Sequence, residues 1–261
     1  MKIQRSILQI LFLPLTVFAC HKKQVILKPE LIILQNSDQI IPLQDSMVRP
    51  ILYRNITELS HLSVKEVKQK FIAIVLPAVL IAKHVINEER KQIETLSSKE
   101  SWSAADSSFY NDRKQLYKAG GIDDLLNRMI THPNSIVLAQ AAVESGWGSA
   151  RFFKEGNNLF GVWAYKSDEP RIAANEPEVY LRRYDNISQS ITDYFVTIGR
   201  ARPYRQFRKA RAQSQDVGEL LPHLKYYSER GKAYINQLKT IIRQNNLTQY
   251  DGYIIDKRYF F

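Results

Sequence analysis

The feature that most constrains the fold is the spacing of apolar residues that begins near Val64. Phe71, Ile74, Val75, Val79, Ala82, Val85 and Ile86 recur at three- and four-residue intervals and are followed by the charged run Glu88-Glu89-Arg90-Lys91. That period predicts one long helix with a wide buried face, kinked if anywhere at Pro77. The heptads do not persist, so packing on the same chain is favoured over a coiled coil with a partner. The chain has 261 residues, enough to bury a core around such a helix without staples. A 44% hydrophobic content with ten glycines and ten prolines argues against disorder or a fibrous repeat.

A second apolar stretch, Ile136 to Val143, is introduced by Pro133, Asn134 and Ser135, which suit a helix start. It ends in Glu144-Ser145-Gly146-Trp147-Gly148, where two glycines can take the positive φ values that stop a helix and turn the chain back. Between the two helices, Glu100 to Gly121 reads as polar and Asp123 to Met129 as a short helix. Further on, a strand pair is expected near Glu178 to Tyr184, with Glu178-Val179-Tyr180 opening a strand. Amphipathic helices follow, one carrying Ile187, Ile191, Tyr194, Phe195 and Ile198, another Ile235, Leu238, Ile241 and Ile242.

The N-terminus reads as an address. Lys2 and Arg5 precede an apolar run, Ile7 to Phe18, too short for a confident span, and the run ends Val17-Phe18-Ala19-Cys20. This resembles a bacterial lipoprotein box, with Cys20 as the lipidated first residue of the mature protein; an ordinary signal peptide with an incidental cysteine is the alternative. His21 gives no aspartate-type inner-membrane retention signal, so the expected location is the cell envelope, periplasmic or at the outer membrane where there is one. Short apolar bursts in residues 21 to 60 predict an extension that lies on the body and sets the reach of the anchored protein toward the wall. The net charge of +11 suits an anionic partner, and export favours wall polymers and lipid headgroups over nucleic acid. With one cysteine and five scattered histidines, neither a metal site nor a cofactor is expected.

Glu144 carries the most informative chemistry. It ends a helix of small and apolar residues, where loss of water and the negative helix end both disfavour ionisation. A carboxyl kept protonated near neutral pH can act as the general acid in glycoside cleavage. A solvated helix-end carboxylate, or one paired with a basic side chain, is the alternative that the residues leave open.

The stretch Ile136 to Gly148, followed by Gly156-Asn157-Asn158-Leu159-Phe160-Gly161, resembles the signature of the glucosaminidase family of peptidoglycan hydrolases, glycoside hydrolase family 73. The similarity is greatest to its bacterial Bax-like members. It extends to Lys70-Phe71-Ile72 with Leu76-Pro77-Ala78, to Ala150-Arg151-Phe152, to Pro203-Tyr204, and to Tyr227-Ser228-Glu229-Arg230-Gly231 with Tyr234, spanning roughly residues 48 to 250. The resemblance implies an α+β, mostly helical, lysozyme-like fold with a small sheet beside the cleft, preceded by a helical extension. It also implies an endo-β-N-acetylglucosaminidase acting on peptidoglycan glycan strands.

On that resemblance Glu144 is the acid, and a second carboxylate is expected on the small sheet, with Glu178 first and Glu176 and Asp185 as rivals. The hairpin is shorter than in flagellar members, so the substrate's own acetamido oxygen could take the second role. Tyr204 matches a tyrosine beside the acid. Trp147, Asn158, Phe160 and Trp163 are the expected substrate-binding residues, although Trp147, Phe160 and Asn158 also suit a role in holding the loop. The resulting division is a signal at 1–19, an extension at 20–60, a helical segment at 61–100, the glucosaminidase domain at 101–250 and a tail at 251–261. The protein is expected to act as a monomer. Amide hydrolysis and a non-catalytic wall-binding lipoprotein are the competing functions, the first lacking a zinc set or cysteine nucleophile.

Overall fold

The computed structural model describes residues 26–261. The signal segment 1–19 and Cys20 lie outside the described residues.

The long apolar period folds as α1, Val64–Ser97, an uninterrupted helix of 34 residues that contains Pro77. At about 1.5 Å per residue it is about 50 Å long. Ser63 and Glu66 close a capping box at its start, each side chain bonding the other's backbone N–H. From Phe71 to Ala82 every residue is buried, all round the helix, so α1 is the post around which the rest is packed. The same stretch is apolar enough to cross a membrane, yet here it lies mostly inside the fold.

The polar stretch after α1 is a helix rather than a connection: α2, Ala104–Tyr117, capped by Ser103 and Asp106. Its apolar face is sparse, which hid it from periodicity. It is followed by α3, Ile122–Arg128, and α4, Asn134–Ser145. Helix α4 is buried along most of its length and packs against α1 and residues 247–252. Its free N-terminal N–H groups meet a carboxylate, since Ser135 donates to Asp251 through its backbone N at 2.7 Å and its hydroxyl at 2.8 Å.

Beyond α5, Arg151–Gly156, an antiparallel hairpin pairs β4, Arg171–Ala173, with β5, Tyr180–Arg182. (The N-terminal strands are β1, Glu30–Ile33, β2, Met47–Val48, and β3, Ile51–Arg54.) The hairpin is anchored to α6, Ile187–Arg200, by Asp193, which takes Arg182 at 2.8 Å and the Tyr184 hydroxyl at 2.7 Å. Short helices α7, Arg205–Arg211, and α8, Val217–Leu220, lead to α9, Lys232–Gln244, which packs on α4.

The two ends of the described chain meet. Strand β1 pairs in parallel with β3, and β2 in parallel with β6, Ile254–Ile255. Ile26 and Phe261 exchange backbone hydrogen bonds of 2.9 and 3.1 Å, and Leu27 bridges to Phe260. Among the described residues the molecule is thus mostly helical with three two-stranded sheets, in the α+β class expected.

Candidate active site

Helix α4 delivers Glu144 to the surface on its last turn. Gly146, Trp147 and Gly148 then follow one another with φ of 57°, 55° and 89°. Three consecutive left-handed residues turn the chain back at once, and Trp147 N–H closes the helix onto Ala142 O at 2.9 Å. A tryptophan accepts this conformation only against a cost, offset here by packing: its ring meets Phe71 edge-on at 5.5 Å, with Lys68 over its face. Trp147 therefore fixes the bend.

Around Glu144 stand four tyrosines from separate parts of the chain: Tyr194 of α6, Tyr204 from the turn before α7, Tyr227, and Tyr234 of α9. Tyr227 stacks on Tyr234 with centroids 5.7 Å apart, and lies 6.2 Å from both Tyr194 and Tyr204. The Tyr234 hydroxyl donates to Glu144 Oε1 at 2.9 Å. Although Glu144 itself is exposed, these rings strip enough water from its carboxyl to raise its pKa above the usual carboxylate range. The Tyr234 bond and the charge of Arg230 oppose that rise without cancelling it. Burial, and then the neighbouring Glu144, push Tyr204 up to about 12, so its hydroxyl keeps its proton.

The other expected residues fare differently. Asn158 is only 2% exposed; its amide donates to Val162 O and Arg182 O, both at 2.9 Å, and its oxygen accepts from Val162 N at 2.9 Å. Phe160 is buried and stacks on Tyr194 at 4.3 Å. These two hold the loop against the hairpin and α6, with both amide hydrogens and the ring face already engaged. Trp163 is 53% exposed beside Tyr165 at 82%, and the two rings lie 6.4 Å apart. Of the four expected binding residues, Trp163 alone presents an open aromatic face of the kind that stacks on a sugar.

Glu178 is not at the head of a strand. It sits in the connection between β4 and β5, exposed and with φ of 62°, a left-handed value that no strand residue holds. The strand begins two residues later, at Tyr180, because the turn needs those residues to bring Ala174 N onto Val179 O at 2.8 Å. Glu176, by contrast, lines a groove of about 500 Å³ together with Trp163, Ala150, Phe152 and Leu181. Asp185 lines a different groove, with Arg54, Lys154 and Arg183.

Sequence reasoning singled out Glu144 and missed its interior neighbours. Tyr194 reads as one more apolar position of α6, and Tyr227 and Tyr234 carry no role of their own in the sequence. The available signal was Gln140, an amide one turn before Glu144 in an otherwise apolar helix, a polar group that burial obliges to find partners.

The chain is similar to several known proteins. Residues 123–247 match the glucosaminidase family, described as mannosyl-glycoprotein endo-β-N-acetylglucosaminidase. The protein bax of Escherichia coli (strain K12) is 28% identical over 194 residues, which is 68% of this chain and 69% of that protein. Among solved structures, the catalytic domain of the autolysin Auto from Listeria monocytogenes matches with a TM-score of 0.39 and 21% identity, over 62% of this chain and 97% of that one. The glycoside hydrolase domain of Salmonella typhimurium FlgJ matches with a TM-score of 0.39 and 23% identity, over 53% and 91%. The stretch similar to the glucosaminidase family therefore runs from α3 to just past α9 and takes in Glu144 and the tyrosines around it.

Proposed function

We propose that this protein cleaves the β-1,4 bond after N-acetylglucosamine in peptidoglycan, with Glu144 as general acid. The observation that carries the reading is a carboxyl of raised pKa at the end of a buried helix, held by a tyrosine hydroxyl inside the glucosaminidase-family segment. Protonated Glu144 gives its proton to the leaving glycosidic oxygen as the bond to the anomeric carbon breaks. Tyr204, which stays protonated, donates to the substrate's acetamido group or to a water. Trp163 stacks on a sugar ring. Positive charge at the anomeric carbon is met by a second carboxylate or by the acetamido oxygen. Glu176, which shares the Trp163 groove, joins Glu178 as the first carboxylate to test. Export and a lipid on Cys20 would place this activity in the cell envelope.

The test is mass spectrometry of purified peptidoglycan digested with the intact protein and with Glu144→Gln, folding being checked by circular dichroism. New reducing-end N-acetylglucosamine is expected from the parent, with turnover lower by about a hundred- to ten-thousand-fold in the variant. Reducing-end N-acetylmuramic acid would change the bond, and released stem peptides would favour amide hydrolysis. No product from a folded, wall-binding parent would favour a non-catalytic lipoprotein. The same assay on Glu176→Gln and Glu178→Gln separates a second acid, whose loss is strongly felt, from the substrate-assisted route, in which neither matters.

A further inference from the structure

Glu144 is joined to the interior by four hydrogen bonds in series. Its Oε1 accepts from the Tyr234 hydroxyl at 2.9 Å, and the Tyr234 oxygen accepts from Gln140 Nε2 at 3.2 Å. Gln140 Oε1 accepts from the Tyr194 hydroxyl at 2.6 Å, and the Tyr194 oxygen lies 2.8 Å from His132 Nε2. His132, Gln140, Tyr194 and Tyr234 are all buried, and His132 Nδ1 has no hydrogen-bond partner among the described residues.

Each hydroxyl has one proton to give, so the sense of the whole series is coupled. In one sense His132 Nε2 donates, every proton points toward Glu144, and the unpartnered Nδ1 is a bare lone pair. In the other, the Gln140 amide is turned over, Glu144 must donate to Tyr234 through Oε1, and His132 accepts at Nε2 while carrying its proton on Nδ1. That second sense buries an N–H with nothing to bond, which costs more than an idle lone pair. A doubly protonated ring is no escape. Burial, then the charges of Arg211 and Lys83, hold the His132 pKa well below its ordinary value.

We propose that His132, Tyr194 and Gln140 are positioning residues that hold Tyr234 as a donor to Glu144 Oε1, leaving the acidic proton on Oε2. Its catalytic meaning rests on the acid assignment above. The consequence is that the carboxylate formed on proton transfer already faces a fixed donor, so the charge needs no reorganisation as it develops. The titratable and charged groups that face Glu144 are Tyr234, Arg230, Tyr204, Tyr227 and Tyr194, and only Arg230 carries a charge.

The first test is independent of turnover. In ¹⁵N-histidine NMR of the intact protein, His132 is identified by contacts to Phe195 and Phe207, whose rings lie 4.9 and 5.1 Å away. It is expected as the neutral Nε2–H form, unchanged between about pH 5 and 8. An Nδ1–H form or an imidazolium would overturn the proposal whether or not glycan is cleaved. The second test is Tyr194→Phe, which keeps the ring and removes the link. Turnover is expected to fall about tenfold at unchanged KM, with the alkaline limb of the kcat–pH profile moved upward, because a freed Tyr234 can accept from protonated Glu144. Tyr234→Phe is expected to move the limb the same way. A fall in rate with the limb unmoved, matching the packing variant Phe160→Leu, would reduce the chain to scaffolding and overturn the proposal. A parent without turnover would remove the acid assignment and leave the NMR result to decide the sense of the chain.

Discussion

At Glu144 two opposed influences meet: crowding by tyrosine rings favours the protonated carboxyl, while Tyr234 and Arg230 favour the ionised one. A general acid works in its protonated form, so activity falls as pH rises through its pKa. Arg230 is exposed and anchored to Gln237 at 2.7 Å, so its influence on Glu144 is a screened charge effect. Replacing it, Arg230→Gln, removes a charge that lowers the carboxyl pKa. The alkaline limb should therefore move upward by a few tenths of a pH unit, and the shift should shrink in high salt; a downward or salt-independent shift would contradict the electrostatic account. At this scale Glu144 was legible in the sequence because a lone carboxylate after a stretch in which seven of eight residues are small or apolar is conspicuous. The bond from Tyr234 was not, since that residue, though part of the family resemblance, lies 90 residues away and nothing local ties its hydroxyl to Glu144. Glu178 was misplaced because Val179 and Tyr180 favour strand, and nothing local announces that the residue before them must turn left-handed.

Among the elements, α1 was readable from its start at Val64 because burial of a whole helix leaves an unmistakable period. Helix α2 was not, because only Tyr117 is fully buried and, apart from the half-buried Phe109 and Tyr110, the helix is largely polar or exposed. What holds α2 in place is a close approach to α6 at Gly199. A Cβ there would sit 2.7 Å from the Arg128 carbonyl oxygen and 2.8 Å from the Tyr117 ring. Neither can retreat easily, since one is backbone and the other a packed ring. Arg128 also donates to Tyr117 O and Gly199 O, both at 3.3 Å, tying together the ends of the three helices. Gly199→Ala is therefore expected to destabilise the protein by about 1–3 kcal/mol in urea unfolding, despite alanine's better helix propensity. A neutral or stabilising result would mean that the three helices separate more readily than their geometry indicates.

For the molecule as a whole, the first and last described segments are one structural unit. β2 depends on β6, and residues 26–28 depend on 259–261, where Lys28 also lies over the Phe261 ring. Sequence could not show this pairing. Two-residue strands carry no period, and partners some 230 positions apart leave no local trace. Removing residues 253–261 should lower Tm by about 5 °C or more and make residues 26–54 an early site of proteolysis; unchanged digestion would show that α1 alone secures them.

The meeting of the two ends also sets a length. Sequence reading gave residues 21 to 60 as the span between a lipid on Cys20 and the body, but the fold already claims the chain from Ile26 onward. Six peptide steps remain, and a fully extended chain covers at most about 3.6 Å per step, or about 20 Å in all. A lipidated form would be a short-leashed enzyme that works within one molecular diameter of its bilayer. Glycan would have to come to it, and lengthening the stretch before Ile26 would act as a ruler for how far from the membrane its substrate lies.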